Sequence, residues 1–288
     1  MIRNLIAGMS VAGITAVASA QLNTVLPTHQ SAAAIGDAGN TVSSVTHTGA
    51  SGIYSRLAFA GNLTEIQLGT FANEAQWAMR NASIGGDNAA FQPSTTGSFV
   101  GTLPISRQNR GLFWMNNGDN MRFESFETFD DGAGSDAQWT NPAFLIDIPT
   151  TNYCTATIAT PFAAGTAFTF DTEGSNFDTE NALYTAGGDL LGTDDDSGTG
   201  LLSLLNSGVL APGSYILANG GFDSRFGDGV AIAGAATGNL SIQVNGVTIL
   251  NNAFGGNGFH NICFDVVPEP TSLALLGLGA AALLRRRA

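Results

Sequence analysis

Along this chain the apolar residues come in short bursts separated by polar, glycine-rich joints. From Ile53 onward the bursts span Ile53 to Ala60, Leu63 to Leu68, Gln76 to Arg80, Ser98 to Ile105, Gly111 to Met115 and Met121 to Phe129. Gly61-Asn62, Gly85-Gly86-Asp87, Asn116 to Asp119 and Asp130-Asp131-Gly132 punctuate them. No stretch keeps a helical period over three turns, and runs of this length between turn residues predict strands of an antiparallel sandwich. Met121 and Phe123 alternate with Arg122 and Glu124, but Phe126 breaks the alternation, which predicts a β-bulge there. Before Ile53 the segment 21–49 shows no sustained period and predicts a loose lead-in with at most one early strand.

The second half carries clearer local signals. Thr166 to Asp171 alternates apolar and polar, as a half-buried strand should. Ala182 to Thr185 and Leu190 to Thr193 predict two strands joined across Gly187-Gly188, a turn that needs positive φ. Leu240 to Val244 alternates, and Asn245-Gly246 then turns the chain into Val247 to Leu250, the strongest hairpin signal present. Phe144 to Ile148 closes the first half, and Pro149-Thr150-Thr151 marks the seam. The pattern therefore predicts an all-β fold of two antiparallel, jelly-roll-like β-sandwich domains, at 21–150 and 151–266.

The second of these resembles the bacterial pre-peptidase C-terminal (PPC) domain over about 156–266. The resemblance is carried by Phe177-Asp178, Leu183-Tyr184, Gly188-Asp189-Leu190-Leu191, Asp194-Asp195-Asp196 and Leu210-Ala211-Pro212-Gly213-Ser214-Tyr215. It implies a compact, non-catalytic jelly-roll sandwich appended to secreted proteins. No protease domain precedes it here, so a protease-accessory role does not carry over.

The two ends give an address. Arg3, an apolar stretch from Leu5 to Val17 and the small-residue site Ala18-Ser19-Ala20 predict a secretory signal peptide over 1–20. At the other end, segment 267–288 holds Pro268-Glu269-Pro270, an uncharged run from Thr271 to Leu284, and Arg285, Arg286 and Arg287. The prolines stop regular structure, and the run predicts a transmembrane helix of only ~21 Å against a ~30 Å hydrocarbon core. The basic cluster keeps its own end in the cytoplasm.

Rigid tripeptide, short Leu/Ala/Gly helix and terminal arginines closely resemble the PEP-CTERM sorting signal. In that family a membrane-embedded exosortase recognises and cleaves the signal, and the product goes to the cell surface or an exopolysaccharide matrix. The resemblance implies an exported protein whose precursor is transiently anchored in the inner membrane, with exosortase as its processing partner. The alternative is an ordinary C-terminal membrane anchor.

Composition narrows the body's chemistry. The chain has a net charge of −13 and no lysine, which disfavours nucleic acid and anionic lipid as partners. A hydrophobic content of 44% with 18 Phe excludes a disordered acidic tail. The only two cysteines, Cys154 and Cys263, predict a disulfide in an exported protein. With three histidines in all, a Ser-His-Asp triad or a His-based zinc site has little to be built from, so the body reads as non-enzymatic. A secreted hydrolase would need two carboxylates facing each other across a cleft.

Two constellations remain. Trp77, Trp114 and Trp139 are either core fillers or a glycan-binding platform for extracellular polysaccharide. Asp194, Asp195 and Asp196, brought beside Asp178 by the predicted hairpin, form a candidate Ca²⁺ site, with a solvated acidic turn as the alternative. The sequence therefore predicts a non-enzymatic surface or matrix protein, with a carbohydrate-binding module as the second reading.

Overall fold

The computed structural model describes residues 21–67, 71–129, 134–256 and 258–269. The expected signal peptide, Pro270, the expected transmembrane helix and Arg285 to Arg287 lie outside the described residues. Those described are all-β, and no helix among them is long and apolar enough to cross a membrane.

The first half contributes β1 (Leu22–Val25), β2 (His29–Ser31), β3 (Val42–Thr46), β4 (Gly52–Glu65) and β5 (Ala75–Asn81). It continues with β6 (Ala89–Phe91), β7 (Thr102–Met115), β8 (Asn120–Glu127) and β9 (Ala137–Thr150). The second half begins with β10 (Ala156–Thr157), β11 (Phe162–Ala163), β12 (Ala167–Asp171), β13 (Thr179–Thr185), β14 (Leu190–Asp194) and β15 (Leu204–Val209). It ends with β16 (Gly213–Gly221), β17 (Arg225–Gly227), β18 (Val230–Ile232), β19 (Ala236–Val244), β20 (Val247–Gly256) and β21 (His260–Val267).

These strands form open sheets. The first has the order β1-β9-β4-β7-β18-β17, with β2 also on β9, and the second the order β3-β8-β5-β6. Leu57, Phe59, Trp77, Phe123, Trp139 and Phe144 fill the core between them. The third sheet runs β10-β21-β16-β13-β14, with β11 on β21, and the fourth β15-β12-β19-β20. Phe168, Phe170, Leu183, Leu217, Ile242 and Phe264 fill the second core.

The first and third sheets also meet. Leu112, Trp114 and Ala231 of one pack on Ala182, Tyr184, Ile216 and Ala218 of the other. Successive side chains of a strand point to opposite faces. On β7, Phe113 and Met115 therefore enter the first core while Leu112 and Trp114 enter this shared layer. Strands covered on both sides need apolar residues at consecutive positions. The unbroken runs at 111–115, 182–184 and 215–218 meet that need.

The structure differs from the sequence expectations in several places. The hairpin β17–β18 lies within the span read as the second domain, yet β18 pairs with β7 of the first sheet, Val230 opposite Phe113. A boundary at 150 therefore does not separate two self-contained sandwiches. Segment 21–49 holds three strands rather than one, because β1 and β2 pair with β9 and β3 with β8. Gly61-Asn62 is a register shift inside the continuous β4 rather than a turn between strands.

No bulge occurs at Phe126, since β5 and β8 pair without interruption from Ala75–Glu127 to Asn81–Met121. The alternation breaks for another reason. Segment 30–41 covers the outer face of β8 at Glu124, which accepts from Asn40 Nδ2 at 3.1 Å and from Gly36 N–H at 2.5 Å. Finally, β10 and β11 run parallel to β21, so the third sheet is not wholly antiparallel.

Candidate functional site

The acidic loop is built by the hairpin β13–β14. Antiparallel pairing sets Asn181 opposite Asp194, so the residue before β13 lies beside those after β14. Gly188 makes the turn at φ 96°, a conformation that glycine adopts without strain. As a result Asp178, Asp195 and Asp196 each place a carboxylate oxygen within 4.8 Å of the others. Asp194 is not in that group. Its Oδ2 accepts the backbone N–H of Leu204 at 2.6 Å and of Ser197 at 3.3 Å, and so pins the loop.

Residues that the sequence reading missed complete the surroundings. Arg225 contacts Asp223 at 2.5 Å and Glu180 at 3.5 Å, and Asp223 N–H donates to Glu180 at 2.9 Å. Glu180 lies on β13, while Asp223 and Arg225 arrive with the turn after β16, whose only sequence signal is Gly220-Gly221 followed by charged residues. A pocket of about 230 Å³ beside the cluster is lined by Glu180, Asp195 and Arg225 among others.

The electrostatics follow from burial and crowding. Burial pushes the Asp178 carboxyl above its ordinary range, and repulsion from Asp195, Asp196 and Asp223 adds to the rise. Asp195 is raised by burial and by Asp196, with Arg225 opposing. Glu180 is pushed up to about 7, chiefly by burial, with Arg225 again opposing. Asp178 Oδ1 is buried and has no hydrogen-bond partner among the described residues. Each pair of charges at about 4 Å repels by ~1 kcal/mol in water and by more when partly buried. An all-oxygen set with an unused acceptor suits a hard divalent cation such as Ca²⁺.

The tryptophans lie elsewhere. Trp77 and Trp139 are fully buried in the first core, 5.8 Å apart between ring centroids. Trp114 is 4% exposed and packs on Tyr184 in the shared layer, centroids 4.7 Å apart. None presents a ring face to solvent, because each sits on a strand face covered by another sheet. The glycan platform on these residues is therefore corrected to a core role.

Cys154 and Cys263 are joined in a disulfide, with Cα atoms 5.6 Å apart. The bond ties the connection after β9 to the last strand, β21. That strand ends at Val267, and Pro268 and Glu269 follow as exposed, non-strand residues.

Residues 266–288 match the family described as the PEP-CTERM protein-sorting motif. The chain carries a sorting tail. The motif marks a secreted protein that exosortase sorts to the cell surface. It leaves the PPC-like reading of 156–266 without family support. No curated protein matches the chain.

Proposed function

We propose that this is a non-enzymatic structural protein of the cell surface or extracellular matrix. Its precursor is exported through the signal peptide and held in the inner membrane by the segment after Pro270 until exosortase releases it. The observation that carries this reading is the position of the motif, which begins where β21 leaves the third sheet and the chain emerges exposed. The stacked sheets and the disulfide support a load-bearing body. The sandwich of the third and fourth sheets supports a PPC-like segment over 156–266, modified by the hairpin lent to the first sheet. Fractionation followed by intact-mass measurement tests the proposal. Surface or matrix material lacking Arg285 to Arg287 is expected, and surface material that retains them would overturn it.

A second reading concerns the acidic loop. Asp178, Asp195 and Asp196 bind Ca²⁺, which offsets their mutual repulsion and stabilises the folded state as RT ln(1 + [L]/Kd). The convergence of three carboxylates around a partnerless Asp178 oxygen favours it. Thermal unfolding at fixed ionic strength should show a higher Tm with Ca²⁺ than with EDTA. Asp195→Asn and Asp196→Asn should remove the difference, and equal Tm values in the unaltered protein would leave the loop a solvated turn.

A further inference from the structure

A cleft of about 430 Å³ opens where the ends of β4, β7 and β9 meet the connection Asn152 to Thr155 and the start of β21. Its size falls in the range that takes a small ligand. Arg110 lines it. Every other arginine among the described residues has a carboxylate or backbone carbonyl partner for its guanidinium. Arg56 pairs with Asp147, Arg122 with Glu124, and Arg225 with Glu180 and Asp223. Arg80 donates to Gly86 O and Arg107 to Gln92 O. The Arg110 guanidinium has no acid or carbonyl partner among the described residues, although acids outnumber arginines 23 to 10 in this chain.

Its placement is also unfavourable for the fold. Arg110 lies directly opposite Arg56 in the β4–β7 register, and Asp147, opposite Arg56 on its other side, is already engaged there. Like charges facing each other across a ladder destabilise it. A cation held in that position, exposed at a cleft and without an internal partner, is available to an external anion.

The rest of the lining specifies what kind of anion. Asn261 is 4% exposed. Its amide N–H donates to Tyr153 O at 2.7 Å, while its side-chain oxygen is buried without a partner. Asn152, Ser55 and Thr155 add further amide and hydroxyl groups, and Tyr153 and Phe259 add aromatic surface. One wall is glycine: a Cβ added at Gly255 or Gly258 would meet nothing within 4 Å. A planar guanidinium fork matches a carboxylate, amides and hydroxyls match sugar hydroxyls, and aromatic surface matches the apolar face of a pyranose.

We propose that this cleft binds a carboxylate-bearing sugar residue of an acidic polysaccharide. The net charge of −13 opposes anions at long range. That repulsion is screened beyond about 8 Å at physiological ionic strength, whereas the guanidinium contact is direct. The proposal does not depend on where the protein is sorted, since it is tested in solution on the purified exported protein.

The test is calorimetric titration with short oligomers of galacturonate, glucuronate and mannuronate, each beside its neutral methyl ester, and with glutarate. At least one free-acid oligomer should bind, and its methyl ester should bind ~tenfold more weakly. Arg110→Gln should bring the acid down to the level of the ester, and Arg110→Lys should recover part of the loss. Gly255→Leu, which adds bulk to the glycine wall and removes no charge, should abolish binding of acid and ester alike. Unchanged melting curves would confirm that the variants fold. Absence of binding by all three acids would overturn the proposal, as would affinities unaltered by both Arg110→Gln and Gly255→Leu. Glutarate binding as tightly as the uronates would overturn the assignment to a sugar.

Discussion

His29 is fully buried against Trp77, with ring centroids 5.0 Å apart. Its Nδ1–H donates to Pro27 O at 2.9 Å, which leaves Nε2 as a buried nitrogen without a partner. A proton there would place a charge in an aromatic core, so burial lowers the His29 pKa, with the bond to Pro27 opposing in part. The unfolded chain then takes up the proton first as pH falls. The stability due to neutral His29 is complete above its unfolded pKa near 6.5 and is lost as pH falls through that value toward the lower folded one. Urea unfolding from about pH 8 to about pH 5 should show the unaltered protein losing stability relative to His29→Gln. Parallel pH dependences would refute it. A different constraint acts at Gly188, where φ is 96° and an added Cβ would stand 2.7 Å from the Trp114 ring. Gly188→Ala combines backbone strain with a collision in the shared layer, and should destabilise by about 2–3 kcal/mol in denaturant unfolding. A loss under about 0.5 kcal/mol, that of an ordinary surface change, would show that the indole moves aside freely.

At the scale of elements, the hairpin β17–β18 is the piece that joins the halves, and Asp228 at its turn is its fastener. Asp228 Oδ1 accepts Leu190 N–H at 3.0 Å and Oδ2 accepts Asp87 N–H at 2.8 Å, with the side chain 7% exposed. One carboxylate thereby holds β14 and the loop before β6 to the same hairpin. Asp228→Ala should cost about 2–4 kcal/mol, because two backbone donors lose a charged acceptor, and Asp228→Asn should cost less. Near-equal stabilities of all three proteins in chemical unfolding would refute this. None of this junction was legible in the sequence. Gly227-Asp228-Gly229 has the composition of a turn, but the partner of β18 is β7, and no local pattern names a strand so distant in the chain. Local features fared otherwise. Asn245 and Gly246, at φ 51° and 76°, form the turn that their dipeptide predicts. The acidic loop was legible in part for the same reason. A short hairpin fixes Asp178 relative to Asp195 and Asp196, whereas Glu180's contact with Arg225 depends on a turn beyond β16. Double-sided burial misled the reading at Phe126, where a change of covering looked like a change of register.

For the whole molecule, the question is whether four sheets behave as one cooperative unit or two. The shared apolar layer, the lent hairpin and the hydrogen bond of Trp114 N–H to Gly229 O at 3.0 Å cross between the halves. Gly229 N–H donates onward to Gly188 O at 2.8 Å in the β13–β14 turn. Unfolding the third sheet alone would expose Leu112 and Trp114 on the first and withdraw β17–β18 from its edge. Neither sandwich keeps its full core without the other, so a single transition is expected. The disulfide acts on that unit as a covalent limit on the unfolded chain, since the bridged residues are 109 apart in sequence. The paired Cys154→Ser and Cys263→Ser variant should lose about 2–4 kcal/mol while still unfolding in one step. Tryptophan fluorescence follows the first core and the shared layer, because all three indoles lie there. Hydrogen exchange along β19–β20 follows the fourth sheet, farthest from them. Coincident midpoints from the two probes, in the bridged and unbridged proteins alike, are the expected outcome. A fourth sheet that opened at lower denaturant than the tryptophans respond would show two units joined by contact, and would refute the single one.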